Sequence, residues 1–217
     1  QRKPKRYPTL QQVERLISSI PTVTILLRRD RALIALLIAS GIRIDAAVSL
    51  SIGSFDAAKM AIEQDPRDGV RTKFCKYIRT VLIPVTQELF SILRDWYNEL
   101  IDLGFGYQDP LFPCALPKLD GIAYVQSDEL SRDFISASQM RALIKEHCIK
   151  ASLPSFNPHS FRHANAAIGL ERAKTARDIK ALSLNMGHES AKLIIDTYGY
   201  MSEREIEEII QSLKEEE

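Results

Sequence analysis

The residues best suited to chemistry in this sequence are basic side chains that could bind an anion together. His159 and Arg162 lie three positions apart at a predicted helix start, directly after Asn157-Pro158. At that spacing both side chains share one helical face with the unpaired N–H groups of the first turn. An imidazole, a guanidinium and a helix N-terminus form an anion site that suits a phosphate. A surface salt bridge with a capping histidine is the alternative interpretation.

Three further segments carry groups of the same kind. Arg43 follows a helix stop at Gly41 in an otherwise apolar stretch, and a buried arginine normally has an anionic partner. The segment 72–81 places several cationic side chains at the turn of a predicted β-hairpin. Met186-Gly187-His188 closes a predicted helix, and Tyr198 follows ten residues after His188.

Metal and disulfide chemistry are both poorly supported. The histidines His147, His159, His163 and His188 match no zinc-binding spacing, and no cysteine is placed to complete a site. The three cysteines are far apart and odd in number, which favours a reducing cytoplasm over a disulfide scaffold. We therefore expect no metal and no cofactor.

The elements that must position these groups are mostly helices. Capping residues and apolar spacing predict a helix between Thr9 and Pro21, and six more over about 22–40, 45–50, 86–103, 137–151, 160–173 and 175–186. Two further helices are predicted over about 190–197 and 202–214, the last with a capping box of Ser202 and Glu205. Short β-prone runs at 59–63, 70–74 and 77–83 predict a small antiparallel meander. Residues 104–131 are predicted to be a long irregular segment.

Charge is unevenly distributed along the 217 residues. The net charge of +1 hides an acidic C-terminus, with seven glutamates from Met201 onward, and a basic start at Gln1-Arg2-Lys3-Pro4-Lys5-Arg6. A basic body is compatible with a polyanionic partner. No run of about eighteen apolar residues occurs, so no membrane span is expected.

Taken in order, these segments resemble the catalytic domain of the tyrosine recombinases, the phage integrase family. The matching elements are Ser40-Gly41-Ile42-Arg43, Lys73 on its hairpin, Asp109-Pro110-Leu111-Phe112-Pro113, Pro158-His159-Ser160-Phe161-Arg162-His163, Met186-Gly187-His188 and Asp196-Thr197-Tyr198-Gly199. Each motif is weak alone, but their order and intervals are specific. The resemblance covers about 9–210 and implies a mainly α fold with a small antiparallel β-sheet, the α+β fold of that catalytic domain.

The resemblance implies DNA cleavage and rejoining through a 3′-phosphotyrosyl intermediate, without metal or ATP. Tyr198 would be the nucleophile, Arg43 and Arg162 would bind the phosphate, and Lys73 would be the general acid. His159 would accept the phenol proton, and both His159 and His188 would add hydrogen-bond donors. His163 is expected to pack or support, and His147 has no assigned role.

This sequence departs from the family pattern at two places. The position three after the first arginine is usually acidic in the family but is Ala46 here, with Asp45 one place early, so Arg43 is expected to be held differently. The hairpin lacks the usual glycine and has one extra residue, which leaves Lys76 as an alternative to Lys73. Tyr200 is an alternative nucleophile by type, but Tyr198 has the family interval from His188.

The resemblance also implies partners and a domain plan. Residues 1–8 would be a basic linker from an N-terminal core-binding domain, 9–200 the catalytic domain, and 201–217 an acidic C-terminal helix. The expected partners are double-stranded DNA and further copies of the chain in a tetramer on DNA. The last helix, with Ile206, Ile209, Ile210 and Leu213 on one stripe, would either dock on a neighbouring subunit or pack on its own domain. The protein is expected in the cytoplasm of a prokaryote, or encoded by a phage or mobile element. The alternatives are a type IB topoisomerase and an inactive DNA-binding module.

Overall fold

The computed structural model describes residues 7–120 and 123–187, and in that part the chain folds into seven α-helices and five strands. The helices are α1 Leu10–Ser18, α2 Ile25–Ser40, α3 Ile44–Ala47, α4 Gln87–Asp102, α5 Ala137–Lys150, α6 Pro158–Arg172 and α7 Ala176–Asn185. The strands are β1 Phe55–Asp56, β2 Ala61–Gln64, β3 Ile78–Val81, β4 Pro113–Asp120 and β5 Ala123–Phe134. Within the described ranges, no helix is both long and apolar enough to cross a bilayer. The predicted helices over 190–197 and 202–214 lie outside the described residues.

The long helices begin where the sequence provides a capping side chain. In six of them the N-cap oxygen accepts a hydrogen bond from a backbone N–H in the first turn, which satisfies one of the unpaired donors there. These residues are Thr9, Thr24, Thr86, Ser136, Asn157 and Thr175. The local signals therefore predicted these helices to within about three residues.

Helix α2 is the centre of the hydrophobic core. Every residue from Ala32 to Ser40 is buried, because the helix is apolar around its whole circumference and is covered on all sides. Helices α1, α4 and α6 pack on it. The site-bearing C-terminal end of α2 is thus anchored by the core of the domain.

A three-stranded antiparallel sheet with the order β1-β2-β3 lies beside this helical core. Residues Ala61–Gln64 pair with Ile78–Val81, and the N–H of Ile83 donates to the carbonyl of Ala39 at 2.8 Å, which ties the sheet to α2. The predicted strand at 70–74 was wrong, and the third strand is β1 instead. Phe74 and Cys75 have φ values of 63° and 50°, and this left-handed backbone breaks the extended conformation.

The predicted irregular segment at 104–131 was wrong in its second half, where β4 and β5 form an antiparallel hairpin. Its register shifts between Pro113 and Ala115 and again between Ala115 and Pro117. Proline cannot donate to a ladder and is tolerated at such irregularities. The prolines led to the prediction of an irregular segment, whereas the strand accommodates them at its register shifts.

Gly41 terminates α2 in a conformation and a space that only glycine fits. Its φ is +61°, and an added Cβ would lie 2.7 Å from Oδ1 of Asn165. Gly69 is a matched control, since its φ is +86° but nothing lies within 4 Å of an added Cβ.

We expect Gly69→Ala to lower the free energy of unfolding by about 1 kcal/mol, the cost of left-handed backbone alone. Gly41→Ala adds a buried clash and should cost about 2–4 kcal/mol in total. Urea unfolding followed by circular dichroism measures both variants. Equal losses would show that the contact with Asn165 carries no energy.

Candidate active site

The C-terminal end of α2 brings the chain to Arg43, and α6 holds that end in place. The buried amide Nδ2 of Asn165 on α6 donates to the carbonyls of Ile38 and Ala39 at 2.8 and 3.1 Å. The last carbonyls of a helix lack intrahelical partners, so Asn165 satisfies two acceptors of α2 from another element. Gly41 packs directly against the same asparagine.

Arg162 joins three parts of the chain at this point. It lies in the second turn of α6, is 5% exposed, and donates from Nη1 to the carbonyl of Gly41 at 2.6 Å and from Nη2 to the carbonyl of Met186 at 2.7 Å. These bonds fix the plane of the guanidinium. The orientation of Arg162 is thus set by the backbone at the ends of α2 and α7.

Arg43 lies two residues beyond Gly41 and is held quite differently. It is the N-cap residue of α3 and is partly buried, yet its guanidinium makes no hydrogen bond or ion pair within residues 7–120 and 123–187. Burial lowers the pKa of Arg43, although arginine remains charged near neutral pH. A partly buried guanidinium without an ionic partner in the described ranges is chemically suited to bind an anion.

The residues directly after Arg43 provide it with no carboxylate. Asp45 is exposed and forms no ion pair with Arg43 in the described part of the chain. Ala46, at the position that is usually acidic in the family, is 1% exposed and packs in the core. The residues that follow Arg43 therefore supply no carboxylate to it in the described part of the chain, and how Arg43 is held stays a prediction.

Two histidines form a pair at the start of α6. The ring of exposed His159 lies 4.3 Å from the ring of His163, centroid to centroid, in an edge-to-face arrangement. His163 is 8% exposed. His159 therefore reaches the surface on the same helix that carries Arg162, with His163 packed behind it.

The candidate lysines lie on an exposed, strained turn before β3. Residues Lys73–Cys75 form a single helical turn in which Phe74 and Cys75 adopt left-handed backbone. The Nζ of Lys73 lies 4.7 Å from the centre of the Phe74 ring, and Thr72 Oγ1 donates to the carbonyl of Lys76 at 2.7 Å. Strained backbone of this kind clusters at functional sites.

His147, which had no assigned role, is a structural histidine. Its Nε2 lies 2.8 Å from Oδ2 of Asp30, and Oδ1 of that carboxylate accepts two hydrogen bonds from Arg29. All three side chains are buried, and the group is not among the residues that meet at the ends of α2, α6 and α7. Across the described ranges, no cluster of three or more His, Cys, Asp or Glu side chains could hold a metal ion.

The structure describes four of the predicted site residues. Arg43, Arg162 and His159 belong to the joined ends of α2 and α6, and Lys73 belongs to the turn that leads into β3. His188, Tyr198 and the alternative Tyr200 lie outside the described residues.

Sequence reasoning missed Asn165, which holds the end of α2 through two buried hydrogen bonds. The only signal for it was a polar residue on the buried face of α6.

Comparison with known sequences assigns the chain to a family. The model of the Phage integrase family matches residues 7–213. This chain belongs to that family.

Curated relatives within the family are tyrosine recombinases. Tyrosine recombinase XerD of Neisseria meningitidis serogroup B is 27% identical over 187 residues, which cover 85% of this chain and 56% of the relative. Tyrosine recombinase XerC of Xylella fastidiosa is 28% identical over 187 residues, covering 85% of this chain and 53% of that protein. The chain spans about half the length of the curated relatives it matches.

Solved structures share the fold. XerA recombinase matches with a TM-score of 0.65 and 17% identity, over 100% of this chain and 68% of that one. XerH site-specific recombinase bound to difH substrate matches with a TM-score of 0.63 and 17% identity, over 98% of this chain and 56% of that one. The Tn1549 transposon integrase in complex with circular intermediate DNA has a TM-score of 0.63 and 18% identity, over 98% of this chain and 68% of that one. The predicted α+β fold of a recombinase catalytic domain is confirmed.

Proposed function

We propose that this chain is the catalytic domain of a site-specific DNA recombinase that cuts and rejoins DNA through a 3′-phosphotyrosyl intermediate. The observation that carries the proposal is the partly buried guanidinium of Arg43, which has no paired anion in the described ranges and lies next to the α2 end that Arg162 holds. The curated relatives are tyrosine recombinases, and the matched XerH and Tn1549 structures contain DNA. Both findings support the same chemistry.

Two arginines suit this reaction because attack on phosphorus increases the negative charge on the non-bridging oxygens. Preorganised donors aimed at those oxygens contribute several kcal/mol to rate in a water-poor site. Arg162 cannot reorient without losing two buried hydrogen bonds. Arg43 gives up no partner among residues 7–120 and 123–187 when it binds a phosphate, so its binding energy is available to the substrate.

In the proposed cleavage step, the phenol oxygen of Tyr198 attacks the scissile phosphorus. The new P–O bond forms as the bond to the 5′-oxygen breaks, and the phenol proton passes to His159. The free phenol has a pKa of about 10, so a neighbouring base or positive field is required to activate it. His188 would add a hydrogen bond to the phosphate oxygens.

The leaving 5′-oxygen takes a proton from a lysine, which we assign to Lys73 with Lys76 as the alternative. We expect Lys73→Ala to slow cleavage of a normal phosphodiester by about 10²- to 10⁴-fold, the usual contribution of general acid catalysis. A bridging 5′-thiol leaves without protonation because its pKa is near 8.5, so it should restore the rate. Single-turnover cleavage of both substrates measures this, with Lys76→Ala as the matched control. Rescue of Lys76→Ala and not of Lys73→Ala would move the acid role to Lys76.

The domain plan and partners extend the same proposal. Residues 1–8 would connect to an N-terminal core-binding domain and lie along the duplex. Lysines and arginines of the chain would supply the phosphate contacts that dominate DNA affinity. The stripe of Ile206, Ile209, Ile210 and Leu213 in the last segment would dock on a neighbouring subunit of a tetramer on DNA. The site of action would be the cytoplasm.

The test of this function is trapping of the covalent intermediate. The full-length protein is incubated with a duplex from its own element's ends that carries a nick near the cleavage position, so that cleavage releases a short strand and cannot be reversed. A protein–DNA adduct through a 3′-phosphotyrosyl bond, unaffected by EDTA, is expected. No adduct would support the inactive DNA-binding module, and relaxation of any supercoiled plasmid would support the topoisomerase.

A further inference from the structure

The outer edge of β3 is held by the C-terminal end of α7 through one side chain, Asn185. Its Oδ1 accepts from the N–H of Val81 at 2.7 Å, and its Nδ2 donates to the carbonyl of Val81 at 2.8 Å. The amide therefore pairs with both backbone groups of one residue, as a neighbouring strand would. An aliphatic residue at this position could form neither bond.

Two further contacts join the same elements. The carbonyl of Asn185 accepts from Oγ1 of Thr80 at 3.0 Å, and Thr80 in turn accepts from Gln64 on β2 at 2.8 Å. Thr80 and Gln64 are 1% and 4% exposed, so these bonds are shielded from water. Gly187, with φ +71°, lies so close to β3 that an added Cβ would be 2.6 Å from Cδ1 of Ile78.

The other side of this junction belongs to the candidate active site. Met186, the residue after Asn185, accepts the hydrogen bond from Nη2 of Arg162 at 2.7 Å. Residues 185–187 therefore contact Arg162 on one side and β3 on the other. The turn immediately before β3 carries Lys73 and Lys76. A shift of β3 relative to α7 would therefore change the distance between the lysines and Arg162.

We propose that Asn185 is a positioning residue that holds the lysine-bearing turn in register with the phosphate-binding arginines, a role that rests on the proposed cleavage chemistry. The turn at 73–76 is exposed. It is anchored before the turn by the N–H of Arg71, which donates to Oγ of Ser49 at 2.8 Å, and after the turn by β3. The two hydrogen bonds between Asn185 and the backbone of Val81 fix β3 on residues 185–187, the segment to which Arg162 also donates. Loss of these two hydrogen bonds would displace the lysine that donates the proton more than it displaces Arg43 and Arg162.

The experiment compares Asn185→Ala with wild type in single-turnover cleavage by the full-length protein, on a phosphodiester and on its 5′-bridging thiol analogue. We expect Asn185→Ala to slow phosphodiester cleavage about 10- to 100-fold, the scale for a misplacement of about 1 Å. The thiol substrate should restore its rate to that of wild type. In the background of the lysine variant that the thiol rescues, Asn185→Ala should add little, because both changes affect one step.

Two further variants separate this role from simple loss of stability. Leu184→Ala removes the exposed neighbour of Asn185 and should leave both rates unchanged. Asn185→Asp keeps an acceptor for the N–H of Val81 but loses the donor to its carbonyl. It should give a smaller defect that the thiol substrate rescues, and it tests the same role if Asn185→Ala does not fold.

The outcomes are distinct. A defect of Asn185→Ala that is equal on both substrates, or no defect, overturns the proposed role while the wild-type adduct still supports the function. A wild-type protein that forms no adduct with either substrate refutes the proposed function itself and, with it, this role of Asn185.

Discussion

Replacing Tyr198 with phenylalanine is expected to abolish the covalent protein–DNA adduct. The change removes only the phenol oxygen, so the attacking atom is lost while the aromatic ring is kept. Removal of a nucleophile lowers rates by at least about 10⁴-fold in comparable covalent mechanisms. Incubation with the nicked duplex, then denaturing electrophoresis, measures the adduct.

Tyr200→Phe is the matched control for this prediction, since it makes the same chemical change two residues away. It should form the adduct at close to the wild-type rate. DNA binding should be retained in both variants, as measured by fluorescence anisotropy at fixed salt, because the phenol oxygens are not expected to supply phosphate charge neutralisation. An adduct that persists in Tyr198→Phe and disappears in Tyr200→Phe would reverse the assignment.

The two arginines are expected to respond to alanine substitution in opposite ways with respect to stability. Arg43 has no hydrogen-bonding or ionic partner in the described part of the chain, and burial lowers its pKa. Arg43→Ala should therefore leave the free energy of unfolding unchanged or slightly raised, because a partly buried charge is removed without orphaning another group. Cleavage should fall about 10²- to 10³-fold, the cost of losing one preorganised donor.

Arg162→Ala should lower both cleavage and stability. It leaves the carbonyls of Gly41 and Met186 without the bonds that Arg162 donates. At about 1–3 kcal/mol for each of the two buried carbonyls left unpaired, we expect a loss of about 2–6 kcal/mol. Urea unfolding measures stability, and single-turnover cleavage measures the rate. Equal destabilisation by both variants would contradict the structural distinction between the two arginines.

Local signals in the sequence predicted most of the secondary structure because those signals act within a few residues. The N-caps at Thr9, Thr86 and Asn157, and the stop at Gly41, each determine a boundary through a contact with the adjacent turn. Where an element depends on distant pairing, the same reasoning failed. The strand predicted at 70–74 has the right composition but a left-handed turn, and the β4–β5 hairpin contains prolines that composition assigns to loops.

The sequence by itself determined the family and the residue types of the candidate site, because the order and intervals of its motifs are properties of the chain. Only the tertiary structure decided that Arg162 is locked while Arg43 has no partner in the described ranges, and that Asn165 and Asn185 join the elements around them. The contacts responsible connect positions 121 residues apart for Arg162 and Gly41, and 104 apart for Asn185 and Val81. A hydrogen bond across such a separation depends on how whole elements pack, and it leaves no periodic pattern in the residues between its ends.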